Sequence, residues 1–235
     1  MFFSDSFCYL CAKDNTQPKM RKVIEKLKRW WFYRTTRHQL RNRNVTIISE
    51  NCWGGILCQY LGIGYNSPFV GLLVPAPDYI KILRSLKEYV EGDFRFIPRS
   101  ESRYERELRY FKNDFPIAEL TPKGGGDVVE IHFLHYKSPE EAVEKWRRRA
   151  QRINYDNIIV KLAERNECTA KEIAEFDALD YPSKVCFTAK EYPFRSTRVL
   201  DALDFIKRGR VNWEWRHCHK CYNFVEEANR LLNKA

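Results

Sequence analysis

The chain has no apolar run near the roughly 20 residues that a bilayer-spanning helix requires, which excludes such a span on sequence grounds. Its first residues, Met1-Phe2-Phe3-Ser4-Asp5, offer neither a positive start nor a long apolar stretch. No signal peptide is therefore expected, and the protein is expected in the cytoplasm. There its eight cysteines would be reduced thiols or metal ligands rather than a disulfide framework. No solenoid-period repeat and no low-complexity tract is present. An Asp-x-Asp motif, which holds the metal of many glycosyltransferases, is missing, as is any paired-carboxylate signature. Gly124-Gly125-Gly126 precedes a strand-like run rather than a helix, so the Walker and Rossmann readings fail and a hairpin turn is expected. No cofactor is identified.

Acidic residues are nearly absent from one segment. Between Lys19 and Arg43 there are ten Lys or Arg and a single acid, Glu25, a net of +9 out of the chain's +10. The remaining 31 basic and 30 acidic residues almost cancel. Basicity confined to one segment argues against a fold-wide nucleic-acid surface. Residues 19–43 read as a basic amphipathic helix, with Met20, Val23, Leu27, Trp30 and Trp31 at helical spacing. Such a helix suits an anionic membrane surface at the inner membrane face, or docks on its own domain with a solvated basic side.

The rest is well supplied with β-branched and aromatic residues. Val45–Ser49, Asn157–Leu162 and Lys184–Thr188 read as strands. Ile117–Leu120 and Val128–Leu134 read as a hairpin. Helices are expected at 56–61, from Pro77, from Ser138 to about Ile153, at 169–179, at 198–207 and at 224–232. Residues 99–109 read as a loop or an exposed helix. Strands alternating with helices imply an α/β fold, three-layered, with a mixed, mostly parallel sheet. The organisation expected is a peripheral segment and basic helix over 1–43, an α/β domain over 44–208, and a Trp/Cys segment with a helix over 209–235.

The run Ile48-Ser49-Glu50-Asn51-Cys52-Trp53-Gly54-Gly55, then Tyr65-Asn66-Ser67-Pro68-Phe69-Val70-Gly71-Leu72 and Asp78-Tyr79-Ile80-Lys81, resembles a bacterial family filed as domain of unknown function 1919. His132-Phe133-Leu134-His135-Tyr136-Lys137-Ser138, Lys145-Trp146 and Lys184-Val185-Cys186-Phe187-Thr188 are similar to it as well. The resemblance covers roughly residues 44–206. It implies an α/β fold and, because members often carry the label exopolysaccharide biosynthesis protein, an association with surface-polysaccharide synthesis. It brings no catalytic residues to carry over. In the family pattern Asn is common where this chain has Glu50, so the polar groups before Cys52 differ here.

Three constellations could carry chemistry. The first is the turn Asn51-Cys52-Trp53-Gly54-Gly55, where a strand leads into a helix. Asn51 can cap that helix. Backbone N–H groups and paired glycines at a helix start suit a phosphate, and the same field would favour a thiolate at Cys52. Buried packing is the plainer reading. The second is His132, His135, Tyr136 and Lys137, with the two histidines on opposite faces if the strand runs that far and His135 at its end; if Cys52 is a nucleophile, His135 is the best base in the chain. The papain-type local signature is absent. The third is the cationic helix carrying Lys145, Arg148, Arg149 and Arg152, with Trp146 available to stack on a sugar. Asn66 joins this set of anion- or substrate-binding candidates. The pairs Cys8/Cys11 and Cys218/Cys221 could hold zinc only if the two ends of the chain met.

Three functions fit. One is transfer or modification of a sugar from a nucleotide-activated or lipid-linked donor in capsule or exopolysaccharide biosynthesis. Another is a cysteine-dependent hydrolase or acyltransferase using Cys52 and His135. The third is a non-catalytic partner of the polysaccharide machinery.

Overall fold

Six residues, Ile158-Ile159-Val160-Lys161-Leu162-Ala163, form the middle of the molecule and all six are buried. A run that is apolar at five of six positions, without alternation, suits a strand covered on both faces. The computed structural model describes residues 19–109, 111–200, 206–207, 210–211 and 214–232. In it this run is β5. It pairs in parallel with β1 (Thr46–Ser49) and with β6 (Ser183–Thr188). A fourth parallel strand, β7 (Thr197–Val199), completes the order β1-β5-β6-β7.

Strand parity sorts the side chains into two cores. Ile48, Ile158, Val160, Leu162 and Cys186 face the first. Ile47, Ile159, Ala163, Val185 and Phe187 face the second. The first core is closed by α3 (Ala76–Arg84), α6 (Pro139–Ala150) and α7 (Ala170–Ala178). The second is closed by α1 (Lys19–Thr36), α2 (Trp53–Leu61) and α8 (Phe224–Leu232). The α/β class read from the sequence is therefore the observed one, with helices on both faces of a parallel sheet. Both ends of the described chain pack on the second core through Tyr33, Trp215 and Phe224.

Three antiparallel strands stand apart in a sheet of their own, order β2-β3-β4, rather than at an edge of the parallel sheet. These are β2 (Asp93–Ile97), β3 (Ile117–Thr121) and β4 (Val129–His132). The expected hairpin is β3–β4, and Gly124, Gly125 and Gly126 all have positive φ in its turn. The separation has a local cause. Leu73 exchanges both backbone hydrogen bonds with His132, while the neighbouring Val74 N–H donates to the Glu50 carbonyl at 2.7 Å. Residues 71–74 thus lie between the end of β1 and the edge of β4, and join the two sheets.

Several local expectations change. The first helix stops at Thr36 instead of Arg43, where consecutive β-branched threonines turn their hydroxyls back onto the Trp31 and Phe32 carbonyls. The expected helix at 198–207 starts as β7, which Phe187 fixes by pairing with Arg198; residues 201–205 lie outside the described residues. The 99–109 stretch is a 3-10 turn (Arg99–Glu101) and a short helix α5 (Glu105–Leu108). Six of these eleven residues are exposed, as expected, yet the stretch is tied down. Arg103 donates to Asp78 at 2.9 Å and its N–H to Glu130 at 3.0 Å, while Glu130 also meets His132 Nε2 at 2.5 Å. Burial pushes the Glu130 carboxyl up, but its bonds to His132, Ser102 and Arg103 hold it below the ordinary range.

Candidate functional site

β1 ends at Ser49, and the chain turns through Glu50, Asn51 and Cys52 into α2. Cys52 is the N-cap residue of α2. The capping side chains are its neighbours. Asn51 Oδ1 accepts from the Trp53 N–H at 3.0 Å, and Ser49 Oγ accepts from the Gly54 N–H at 3.1 Å. Two of the helix-start donors that could have met an anion are therefore already bonded. The glycines serve close packing: a Cβ on Gly54 would lie 2.9 Å from Ser49 Oγ and 3.0 Å from Ile47, and one on Gly55 2.9 Å from Val70. Trp53 is buried, with Nε1 donating to Cys218 Sγ at 3.3 Å.

Cys52 itself is half-buried, and its Sγ lies 3.3 Å from His135 Nε2 across 83 residues of sequence. The two meet because of the segment that joins the sheets. β4 delivers His135 three residues past its end, and the His135 N–H donates to the Gly71 carbonyl at 3.0 Å. Gly71 has φ +75°, and a Cβ there would stand 3.2 Å from that of His135. Only glycine takes this backbone without cost while letting the His135 turn approach. Gly71→Ala is expected to lower stability by about 1–2 kcal/mol, the usual cost of left-handed backbone beneath a Cβ, and to move His135 off Cys52. Urea unfolding measures the first and the alkylation rate of Cys52 the second. Burial lowers the His135 imidazole below the ordinary histidine value, so its neutral, proton-accepting form prevails at neutral pH.

The residue after His135 extends the site. Tyr136 donates its hydroxyl to the Val70 carbonyl at 2.6 Å and receives Arg149 Nη1 at 2.7 Å. Burial raises the Tyr136 phenol, against Arg149, and Cys52 raises it a little further. The Arg149 guanidinium lies over the Tyr65 ring, 5.1 Å from its centre. A half-buried cation held by a phenol and an aromatic face thus adjoins the Cys52–His135 pair.

The other residues named from the sequence divide. Lys145 sits over the Tyr136 ring at 5.4 Å and pairs with Glu141 at 2.5 Å. Lys137 is exposed, its N–H capping onto Glu141 at 2.6 Å. Asn66 reaches Asn44 at 3.5 Å. Trp146 is fully buried and cannot stack on a sugar. Cys218 and Cys221 are free thiols, and burial raises both, Cys221 to about 11. Cys8 and Cys11 lie outside the described residues, among which no group of three or more His, Cys, Asp or Glu could hold a metal.

Beneath the Cys52 turn lies a network that the sequence reading missed. Lys161 Nζ, with no exposure, donates to Glu50 at 2.9 Å, to Asn51 Oδ1 at 3.2 Å and to Glu214. Asn51 Nδ2 donates to the same Glu50 and Glu214 oxygens, at 3.0 and 2.6 Å. Burial pulls the Lys161 ammonium down, but Glu214 and Glu50 together raise it above the ordinary value. Burial raises Glu50, whereas Lys161 and Arg165 hold Glu214 low against burial. Asn51 therefore joins this buried charge cluster to the backbone that presents Cys52. The available signal was Lys161 itself, a lone charge in an otherwise apolar β5.

An α/β protein with a thiol–imidazole pair where a parallel strand runs into a helix is the class these features define. The chain belongs to the family described as domain of unknown function (DUF1919), whose model matches residues 23–230. That match runs from α1 into α8, beyond the stretch that carries the motifs. An uncharacterized protein of Haemophilus influenzae is 32% identical over 223 residues, covering 92% of this chain and 98% of that protein. Among the described residues no helix is long and apolar enough to cross a membrane.

Proposed function

We propose that the protein is a cysteine-dependent acyl-transfer enzyme in which Cys52 is the nucleophile and His135 the general base. The observation that carries this reading is the 3.3 Å approach of Cys52 Sγ to a neutral His135 Nε2 at the carboxyl end of β1, where open α/β sheets place their ligands. In the first step the sulfur attacks an acyl carbon, its proton passes to His135 Nε2, and the leaving group departs with that proton. In the second step His135 takes a proton from the incoming hydroxyl, which displaces the sulfur and returns the thiol. Arg149, set beside Tyr136, stabilises negative charge that develops on the acyl oxygen. The polysaccharide association implied by the family resemblance supplies the acceptor class, a sugar hydroxyl, with water as the hydrolytic alternative. We place this chemistry in the cytoplasm, where the thiol stays reduced. Sugar transfer from an activated donor is the weaker reading, because two of the helix-start donors it would use are already bonded.

The test is the pH dependence of alkylation at each cysteine of the native protein, read by mass spectrometry. Cys52 is expected to react faster than the buried Cys58, Cys186 and Cys218 by at least about a hundredfold. Its rate should rise with pH through a midpoint below the ordinary histidine value, since burial lowers His135. His135→Ala should remove that limb and slow the reaction. If Cys52 stays inert until the protein unfolds, the thiol is packing and the proposal fails.

A further inference from the structure

Among the described residues, the first helix docks by one side. Tyr33 is buried and stacks on Tyr60 with ring centres 4.9 Å apart, Phe32 meets His219 at 4.9 Å, and Arg29 Nε donates to the Tyr60 hydroxyl at 3.1 Å. The other side presents Val23, Ile24, Leu27, Trp30 and Trp31, each between 46% and 62% exposed. At about 100° per residue these five fall within an arc of about 120°. Five large apolar side chains on one exposed stripe are more than the scattered exposure normal for a surface. Lys26 and Lys28, both exposed, flank the stripe on opposite sides, and α1 holds seven Lys or Arg against Glu25 alone.

We propose that α1 is a membrane-surface anchor that lays this stripe into the headgroup region of an anionic phospholipid bilayer. Charge complementarity selects that occupant. A second copy would set Lys26, Lys28 and Arg34, all exposed, against the same cations of its partner, whereas anionic headgroups neutralise them and leave the stripe in the acyl boundary. Indole rings at positions 30 and 31 suit the interface, where an apolar body and a polar N–H are both accommodated. The helix lies on the bilayer and does not cross it. This surface is independent of the Cys52 chemistry.

Co-sedimentation of the full chain with vesicles tests it, using phosphatidylcholine alone and phosphatidylcholine mixed with phosphatidylglycerol. The protein is expected to sediment with the mixed vesicles at low salt and to be released at high salt. Trp30→Ser/Trp31→Ser should weaken binding about tenfold or more, and Lys26→Glu/Lys28→Glu by a similar factor. Circular dichroism and unfolding curves check that both variants keep the parent fold. Cys52→Ala should bind as the parent does. Failure to sediment with mixed vesicles, equal binding to phosphatidylcholine alone, or indifference to the Trp30/Trp31 change overturns the proposal. A dimer that the Trp30/Trp31 change dissolves, without vesicle binding, assigns the face to a second copy and overturns it too.

Discussion

Lys161→Met is expected to destabilise the protein by about 3–5 kcal/mol, the usual result of stripping one partner from a buried ionic cluster. For a chain of 235 residues this is a fall in Tm of roughly 10 °C. Lys161 is the cation shared by Glu50 and Glu214, and none of the three side chains is exposed. Glu214 keeps Arg165, 3.8 Å away, so Glu50 bears the larger share of the loss. Adding Glu50→Gln to Lys161→Met should therefore restore part of the stability. The sign with pH follows from the same cause. Without the ammonium, both carboxyls have folded-state values raised above their unfolded ones. The variant's deficit is then largest above the carboxylate range and shrinks as pH falls through it. Urea unfolding of the parent and both variants at neutral and acidic pH measures this. A single variant as stable as the parent would show that the cluster contributes little.

Trp146→Ala should cost about as much, 3–5 kcal/mol on the scale of large aromatic truncations. The indole is fully buried, lies 5.1 Å from Phe69 and 5.3 Å from Phe94, and donates Nε1 to the Val90 carbonyl at 3.0 Å. It fixes α6 between the antiparallel sheet and the Phe69 segment. Arg149 is on the same helix, one turn on, so a loosened α6 should also slow Cys52 alkylation if Arg149 and Tyr136 support that pair. Trp146→Phe keeps most ring contacts and strands the Val90 carbonyl, a loss of about 1–2 kcal/mol. Thermal unfolding separates the two variants.

Elements with local chemical causes were legible in the sequence. Ser138 followed by Pro139 announced α6, whose N-cap hydroxyl accepts from the Glu141 N–H at 3.3 Å. The β-branched runs gave β1, β5 and β6, and three glycines gave the β3–β4 turn. What was missed depends on partners distant in sequence. β7 is three residues long, too short to show a period, and exists because β6 pairs with it. The separation of the two sheets follows from residues 71–74, which read only as part of an apolar run over 69–74 without alternation. β2 was readable: Asp93, Arg95 and the half-buried Phe94 and Phe96 alternate, but the charged stretch after it masked the pattern. In the site, Cys52 and His135 were each legible as reactive residue types at strand ends, and the structure brings them together. Glu214 as the lid of a charge cluster under Asn51 was not, since only the folded chain places it there.

The pairing of Thr46 with Ile158 has a consequence for how the protein is made. During translation β1 emerges more than a hundred residues before β5, its neighbour in the sheet. At roughly 5–20 residues per second that is a wait of ~10 s. In that interval β2, β3 and β4 can pair with one another, because their contacts are close in sequence. Ile47 and Ile48 meanwhile have no strand to join, an invitation to a chaperone on the ribosome. The floor beneath Cys52 closes later still, when Glu214 leaves the exit tunnel, so a nascent chain stalled before that point would carry the thiol without the setting that positions it.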